Sequence, residues 1–180
     1  MHPKEAYKQK TGTGRLTHLT LIDSEIIIDT TFDNNARAQK LINDPSYYSM
    51  VLYPGDDAQY TESSNFKSTL KDKKLLIFLI DATWSIARKM MSQSPSLQRL
   101  PKLSFSKEYR SIFDIKTQPA DFCLSTIESS YYLIKELQAA GVCEREIDPE
   151  SLITIFKKMI IFQKNAVKHE RNPRTKARKK

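Results

Sequence analysis

Apolar residues recur at helical spacing in four stretches of the chain and run together or alternate in several others. The clearest helical pattern spans 125–140, where Ile127, Tyr131, Ile134 and Leu137 fall in register. Gly141 follows, where a helix C terminus favours glycine. A second long helix is expected over 148–167, opened by Asp148-Pro149 and carrying Leu152, Ile155, Phe156, Met159 and Ile160. Trp84, Ala87 and Met91 place one face of a helix over 83–91. Asp33 is expected to cap a helix running to about Asn43, with Asp44-Pro45 ending it. Strands are expected over 47–52, which stops at Pro54-Gly55, and over 74–80, apolar throughout and preceded by charge. The alternating, threonine-rich stretch 16–21 also reads as a strand, as does the shorter 112–116, and 25–29 reads as a short extended piece. A polar loop occupies 56–66, and Pro95 and Pro101 bracket a turn region. No internal repeat is visible.

Strands alternating with helices predict an α/β fold, a mostly parallel sheet flanked by helices. Ligands of such sheets bind beyond the carboxyl ends of the strands. Three points of the sequence fall there: 52–55, 81–84 and 123–126.

Length and charge narrow the picture. The 180 residues make one domain, expected over 1–167, with a basic tail at 168–180. Apolar residues at 39% are enough for a core, and the longest apolar run, 75–80, is far too short to span a bilayer. The charged start, Met1-His2-Pro3-Lys4-Glu5, does not read as a secretory signal. Cys123 and Cys143 cannot make a cysteine-rich zinc site, the three histidines have no metal-ligand spacing, and no metal is expected. Free cysteines point to a reducing, cytoplasmic setting. The net charge is +8, and its distribution matters more than its size. Eight basic residues between Lys164 and Lys180, among them Arg171, Arg174, Lys176 and Arg178, face one acid, Glu170, so that stretch carries +7. Such an arm either binds nucleic acid or is a solvated tail.

At Asp81-Ala82-Thr83-Trp84 the sequence resembles the DTW-domain family, the tRNA-uridine aminocarboxypropyltransferases, whose signature is Asp-x-Thr-Trp after an apolar strand. Further blocks agree in order. They are His2-Pro3-Lys4-Glu5 with Thr11-Gly12-Thr13-Gly14-Arg15-Leu16, then Leu52-Tyr53-Pro54-Gly55, then Ser111-x-Phe113-x-Ile115-Lys116-x-Gln118-Pro119, then Leu124-Ser125-Thr126-Ile127-Glu128, and last Asn172-Pro173-Arg174. Phe113 and Lys116 stand where the family usually has Tyr and Arg. Many members carry a cysteine cluster ahead of the domain. The resemblance implies a SPOUT-like fold with a C-terminal trefoil knot, which no periodicity would reveal. It also implies transfer of the aminocarboxypropyl group of S-adenosylmethionine to N3 of a tRNA uridine. Aminocarboxypropyl transfer to ribosomal RNA, methyl transfer, or a non-catalytic RNA-binding role remain alternatives. Oligomeric state is open, with a monomer as the expectation.

Each implied site residue also has a plainer reading. Asp81 is the general base for uridine N3–H by resemblance, and a helix N-cap by position. Trp84 is a core aromatic or a stacking platform for a base. Gly55 belongs to a Pro-Gly turn or lets backbone approach the cofactor, with Leu52, Tyr53 and Pro54 beside it. Ser125 and Glu128 form a capping box, while the backbone of Leu124, Ser125 and Thr126 lines the cofactor pocket by resemblance. Thr83 is a helix-start hydroxyl or a polar contact. Arg15 and Lys116 are surface charges, or contacts to the amino-acid carboxylate or an RNA phosphate.

Overall fold

The computed structural model describes residues 1–8, 11–115, 123–143 and 147–171. Its elements in order are α1 (Pro3–Lys8), α2 (Thr13–Thr20), α3 (Ala36–Ile42), β1 (Tyr47–Leu52), α4 (Phe66–Thr69), β2 (Lys74–Phe78), α5 (Trp84–Ser92), α6 (Pro95–Gln98), β3 (Lys102–Leu103), α7 (Thr126–Ala139) and α8 (Glu150–Arg171). The sheet is parallel and three-stranded, in the order β2-β1-β3, with Val51 opposite both Phe78 and Lys102.

Both faces of the central strand β1 are covered, as a parallel sheet requires. Val51 points into a cluster with Phe32, Ala38, Met90, Met91 and Leu97, contributed largely by α3, α5 and α6. Its neighbour Met50 points the other way, to Phe66, Leu103, Leu133 and Leu137 beneath α4 and α7. A third cluster, Phe113, Ile127, Leu152, Phe156, Met159 and Ile160, joins α7 to α8 and receives Leu16 of α2.

Helix α7 ends as its sequence requires. Gly141 takes φ +67°, Val142 N–H bonds the Leu137 carbonyl at 2.9 Å and Gly141 N–H the Gln138 carbonyl at 3.1 Å, which is a Schellman motif.

Four expectations need correction. Residues 16–21 are not a strand: Thr13–Thr20 is helix α2, packed against α7 and α8. Its threonines bond back along the helix, Thr17 Oγ1 to the Thr13 carbonyl and Thr20 Oγ1 to the Leu16 carbonyl. Tertiary packing overrides the β preference of threonine here. The described part of 112–116 forms no strand either. Its Ile112 N–H is bonded by the Glu128 carboxylate at 2.7 Å instead of a ladder partner, and Lys116 lies outside the described residues. Asp33 does not cap α3; Asn35 does, accepting from Ala38 N–H at 3.0 Å, while Asp33 accepts from Ser96 N–H. Stretch 25–29 is extended as expected; it lies outside the sheet and pairs with Met1 through Met1 N–H to the Ile27 carbonyl and Asp29 N–H to the Met1 carbonyl. Helix α8 runs through Arg171, past the expected end at 167.

Candidate active site

Because β1 and β2 are parallel and in register, their carboxyl ends leave the sheet at one edge, and 52–55 and 81–84 emerge together there. Asp81 lies three residues beyond β2. Its carboxylate accepts a hydrogen bond from Thr126 Oγ1 at 2.5 Å, across 45 residues of sequence. Thr126 is the first residue of α7, so the third point, 123–126, joins the same place.

The first turn of α2 closes on the other side. Gly14 is buried, and a Cβ built on it would stand 2.5 Å from Asp81 Cγ and Oδ2. Only a residue without a side chain permits that approach. The backbone carbonyl of Asp81 accepts from His2 N–H at 3.0 Å, which docks α1 beside it. Asp81 is therefore fixed at side chain and backbone by three segments distant in sequence, and it stays half-buried rather than sealed. It is not the cap of α5: Thr83 holds that position. The plainer reading of Asp81 thus falls, because its carboxylate is turned to Thr126 and Gly14.

The remaining expected residues take different places. Thr83 is exposed, and among the described residues its hydroxyl makes only a 3.4 Å contact with Ser85 Oγ. Trp84 opens α5, half-buried. Leu52 packs on the cluster beneath α7 and Tyr53 on the opposite cluster, with Tyr53 N–H bonded to the Leu103 carbonyl at 3.0 Å. Pro54 and Gly55 are exposed. The space beside Gly55 is taken by Asp57 and Lys102, which pair at 2.7 Å. Leu124 and Ser125 are half-buried at the entrance to α7. Arg15 points its guanidinium at the Ala6 carbonyl, 2.5 Å away, and its Nε is buried without a partner among the described residues. Lys116, Arg174, Lys176 and Arg178 lie outside the described residues; Arg171 closes α8.

Glu128 does more than its capping box requires. It is 1% exposed. Its carboxylate accepts from Ser125 N–H at 2.8 Å, Ser125 Oγ at 2.5 Å, Ser111 Oγ at 2.9 Å and Ile112 N–H at 2.7 Å. It thus ties 111–113 to the helix start that carries Thr126. Phe113, which stands in the block where the family usually has Tyr, is buried edge-on to Phe156.

Sequence reasoning gave Gly14 and His2 no role. The one signal for Gly14 was a glycine inside what proves to be a helix, where it costs about 1 kcal/mol unless a close approach needs it. Among the described residues no group of three or more His, Cys, Asp or Glu is placed to hold a metal ion, and no helix is long and apolar enough to cross a membrane.

An α/β domain with an anchored, half-exposed carboxylate at the carboxyl edge of a parallel sheet has the layout of an enzyme acting on a ligand held at that edge. The chain belongs to the DTW-domain family, which matches it over residues 1–164. It is 29% identical over 106 residues to tRNA-uridine aminocarboxypropyltransferase 2 of Drosophila melanogaster, covering 59% of this chain and 40% of the relative. It is 33% identical over 118 residues to the mouse (Mus musculus) protein of the same name, covering 63% of this chain and 36% of the relative. The match thus spans well under half the length of these relatives. No solved structure matches the chain.

Proposed function

We propose that this protein is a cytoplasmic, S-adenosylmethionine-dependent tRNA-uridine aminocarboxypropyltransferase. In this reading residues 1–167 form one SPOUT-like catalytic domain with a C-terminal trefoil knot, and 168–180 a basic tail. The observation that carries it is the DTW domain across 1–164, whose relatives bear this activity in their names. The geometry at Asp81 supports it.

The residues suit a zwitterionic cofactor. Asp81 places a carboxyl group at the open edge, and Arg15, next in sequence to the Gly14 that meets it, has a cationic N–H that is buried without a partner among the described residues. Arg15 would hold the amino-acid carboxylate. Backbone at 52–55 and 124–126 would hold the rest, with Thr83 beside it. S-adenosylmethionine, when bound, supplies the aminocarboxypropyl group and departs as methylthioadenosine.

The chain's own task is to make uridine N3 nucleophilic and hold it in line. N3 carries a proton, and Asp81 accepts it; a placed base of this kind is worth roughly 10²–10⁴-fold. Thr126 fixes the carboxylate's direction, and Gly14 leaves room for it. Alignment of nucleophile and electrophile supplies on the order of 7–11 kcal/mol of the barrier. The target base must leave its stack to reach this edge, and Trp84 would receive its face. Lys116 and the tail residues Arg171, Arg174, Lys176 and Arg178 would contact RNA phosphates.

Incubation with S-adenosylmethionine and unmodified tRNA, then nucleoside mass spectrometry, tests this. We expect an aminocarboxypropyl increment on uridine, lost by at least about 100-fold in Asp81→Asn. A methyl increment, or full activity in Asp81→Asn, would overturn the assignment.

A further inference from the structure

A second cavity lies away from Asp81. It is a cleft of about 620 Å³ alongside the middle and C-terminal turns of α7, facing the 61–67 and 107–109 segments. From Thr126 to Tyr132 and Glu136 the helix rises about 9–15 Å, so the cleft is a separate place from the candidate active site.

Three features of the cleft point to one kind of ligand. Its wall is aromatic: the rings of Tyr109 and Tyr132 stack at 3.8 Å and 13°, with Tyr131 edge-on to Tyr132 at 5.0 Å. Its rim is basic. Lys107 and Lys135 form ion pairs with exposed carboxylates, Glu62 at 2.9 Å and Glu150 at 3.1 Å, and Lys135 also donates to Tyr131 Oη at 3.2 Å; such exposed pairs are weak and exchangeable. Lys67 makes no ion pair among the described residues. The third feature is the buried carboxylate of Glu136, 6% exposed. It accepts from Thr61 Oγ1 and Tyr109 Oη, each at 2.9 Å, and no cation stands within ion-pair distance among the described residues. Beyond these two neutral hydroxyls the carboxylate feels the Lys107 ammonium only at longer range, and both oxygens retain acceptor capacity.

An aromatic wall takes a planar base, lysines take its phosphate, and a carboxylate takes an amino group from the base edge. We infer that this cleft is a second RNA subsite, which binds an unstacked nucleotide whose base carries an exocyclic amino group: adenine, cytosine or guanine, and not uracil. The inference rests on RNA being the substrate, but not on the chemistry assigned to Asp81. At the 3.4 Å rise of stacked bases, 9–15 Å corresponds to about three or four nucleotides. The cleft would therefore read a base near the modified uridine, in sequence or across a fold of the RNA.

The first experiment titrates 5′-AMP, CMP, GMP and UMP separately into the ¹⁵N-labelled full chain, followed by amide shifts. We expect shifts at Tyr109, Tyr132 and Glu136 with AMP, CMP and GMP, and binding of UMP weaker by at least about tenfold, the loss of one charge-assisted hydrogen bond. In Glu136→Gln the added amide N–H₂ suits uracil's carbonyls, and the preference should shrink or reverse. Shifts confined to other regions, or equal binding of UMP, overturn the proposal. The second experiment measures unmodified tRNA binding by anisotropy for the exposed substitution Lys67→Glu, with thermal melting to confirm folding. Affinity should fall, and the slope of log K against log salt should flatten by about 0.7–0.9, one phosphate contact. An unchanged slope refutes the role of the rim. A protein that fails to modify tRNA yet shows the nucleotide shifts would refute the enzyme reading and leave this cleft standing.

Discussion

Substituting Gly14 by alanine separates geometry at Asp81 from stability of the fold. The added Cβ would lie 2.5 Å from Asp81 Cγ and Oδ2 and 2.8 Å from Oδ1. Ordinary carbon contacts need about 3.5–4.0 Å, so the carboxylate must retreat by about 1 Å or more. Asp81 is short, and its carboxylate can move that far only by rotating about χ1, away from Thr126. The 2.5 Å bond to Thr126 Oγ1 then stretches beyond hydrogen-bond range. A 1 Å misplacement of a catalytic group costs on the order of 100-fold. Stability should change less, because alanine is favoured over glycine in a helix by about 1 kcal/mol, against about 1–3 kcal/mol for overpacking. We therefore expect Gly14→Ala to melt within a few degrees of wild type yet transfer aminocarboxypropyl to tRNA about 100 times more slowly. Thermal circular dichroism and single-turnover nucleoside mass spectrometry measure the two. Wild-type turnover in a folded Gly14→Ala protein would refute the contact as a determinant of activity. Parallel losses of stability and activity would show that Gly14 serves packing alone.

Thr126→Val keeps the shape of the side chain and removes the donor to Asp81; turnover should fall by about 10-fold or more with the melting temperature nearly unchanged, and equal turnover would show that the bond does no positioning. Glu128→Gln leaves four donors competing for one carbonyl oxygen in a buried site, and the melting temperature should fall by roughly 5–15 °C, for a loss of about 2–4 kcal/mol. Burial, and then the bond to Glu136, push the Tyr109 phenol above its ordinary value. The folded state therefore keeps this proton longer than the unfolded state. The corresponding stability is complete below about pH 10 and is lost as pH rises through the higher folded value. Tyr109→Phe should flatten the alkaline limb of the stability profile, and denaturant melts between pH 9 and 12 would reveal it. Deleting 172–180 removes five basic residues and spares α8; tRNA binding should weaken and lose salt dependence, and an unaltered slope would assign the tail no part in RNA binding.

The elements legible in the sequence are those whose pattern and boundaries agree. Strand β1 stops before Pro54-Gly55, β2 is an apolar run that charge precedes, and α7 has its capping box and its glycine. The misread elements are those that long-range contacts decide. In 16–21 the alternation of leucine and threonine fits a strand, yet Leu19 is 80% exposed while Leu16 packs against α8, which is a helical face. Ile112 and Phe113 have β-forming side chains, but the Ile112 N–H is taken by a glutamate 16 residues away and the Phe113 N–H by Ser111 Oγ. At the candidate site, each point at a strand's end was visible by itself. What local pattern cannot carry is the meeting of residues 14, 81 and 126. The cleft at Tyr109 and Glu136 left no trace either, because Tyr131, Tyr132 and Glu136 sit at helix positions that read as ordinary amphipathic spacing and Tyr109 lies in an irregular segment far from them in sequence.

The Glu128 carboxylate joins a helix start, the neighbouring serine and a loop 16 residues upstream. Such a shared acceptor changes how this region can evolve. The serines at 111 and 125 both donate their hydroxyl hydrogens to the acid at 128, so losing the acid removes the acceptor of both at once. Substitutions here must arrive together or not at all. Among relatives, positions 111, 125 and 128 are therefore expected to vary as a set, a correlation that can be counted in sequences without reference to any activity.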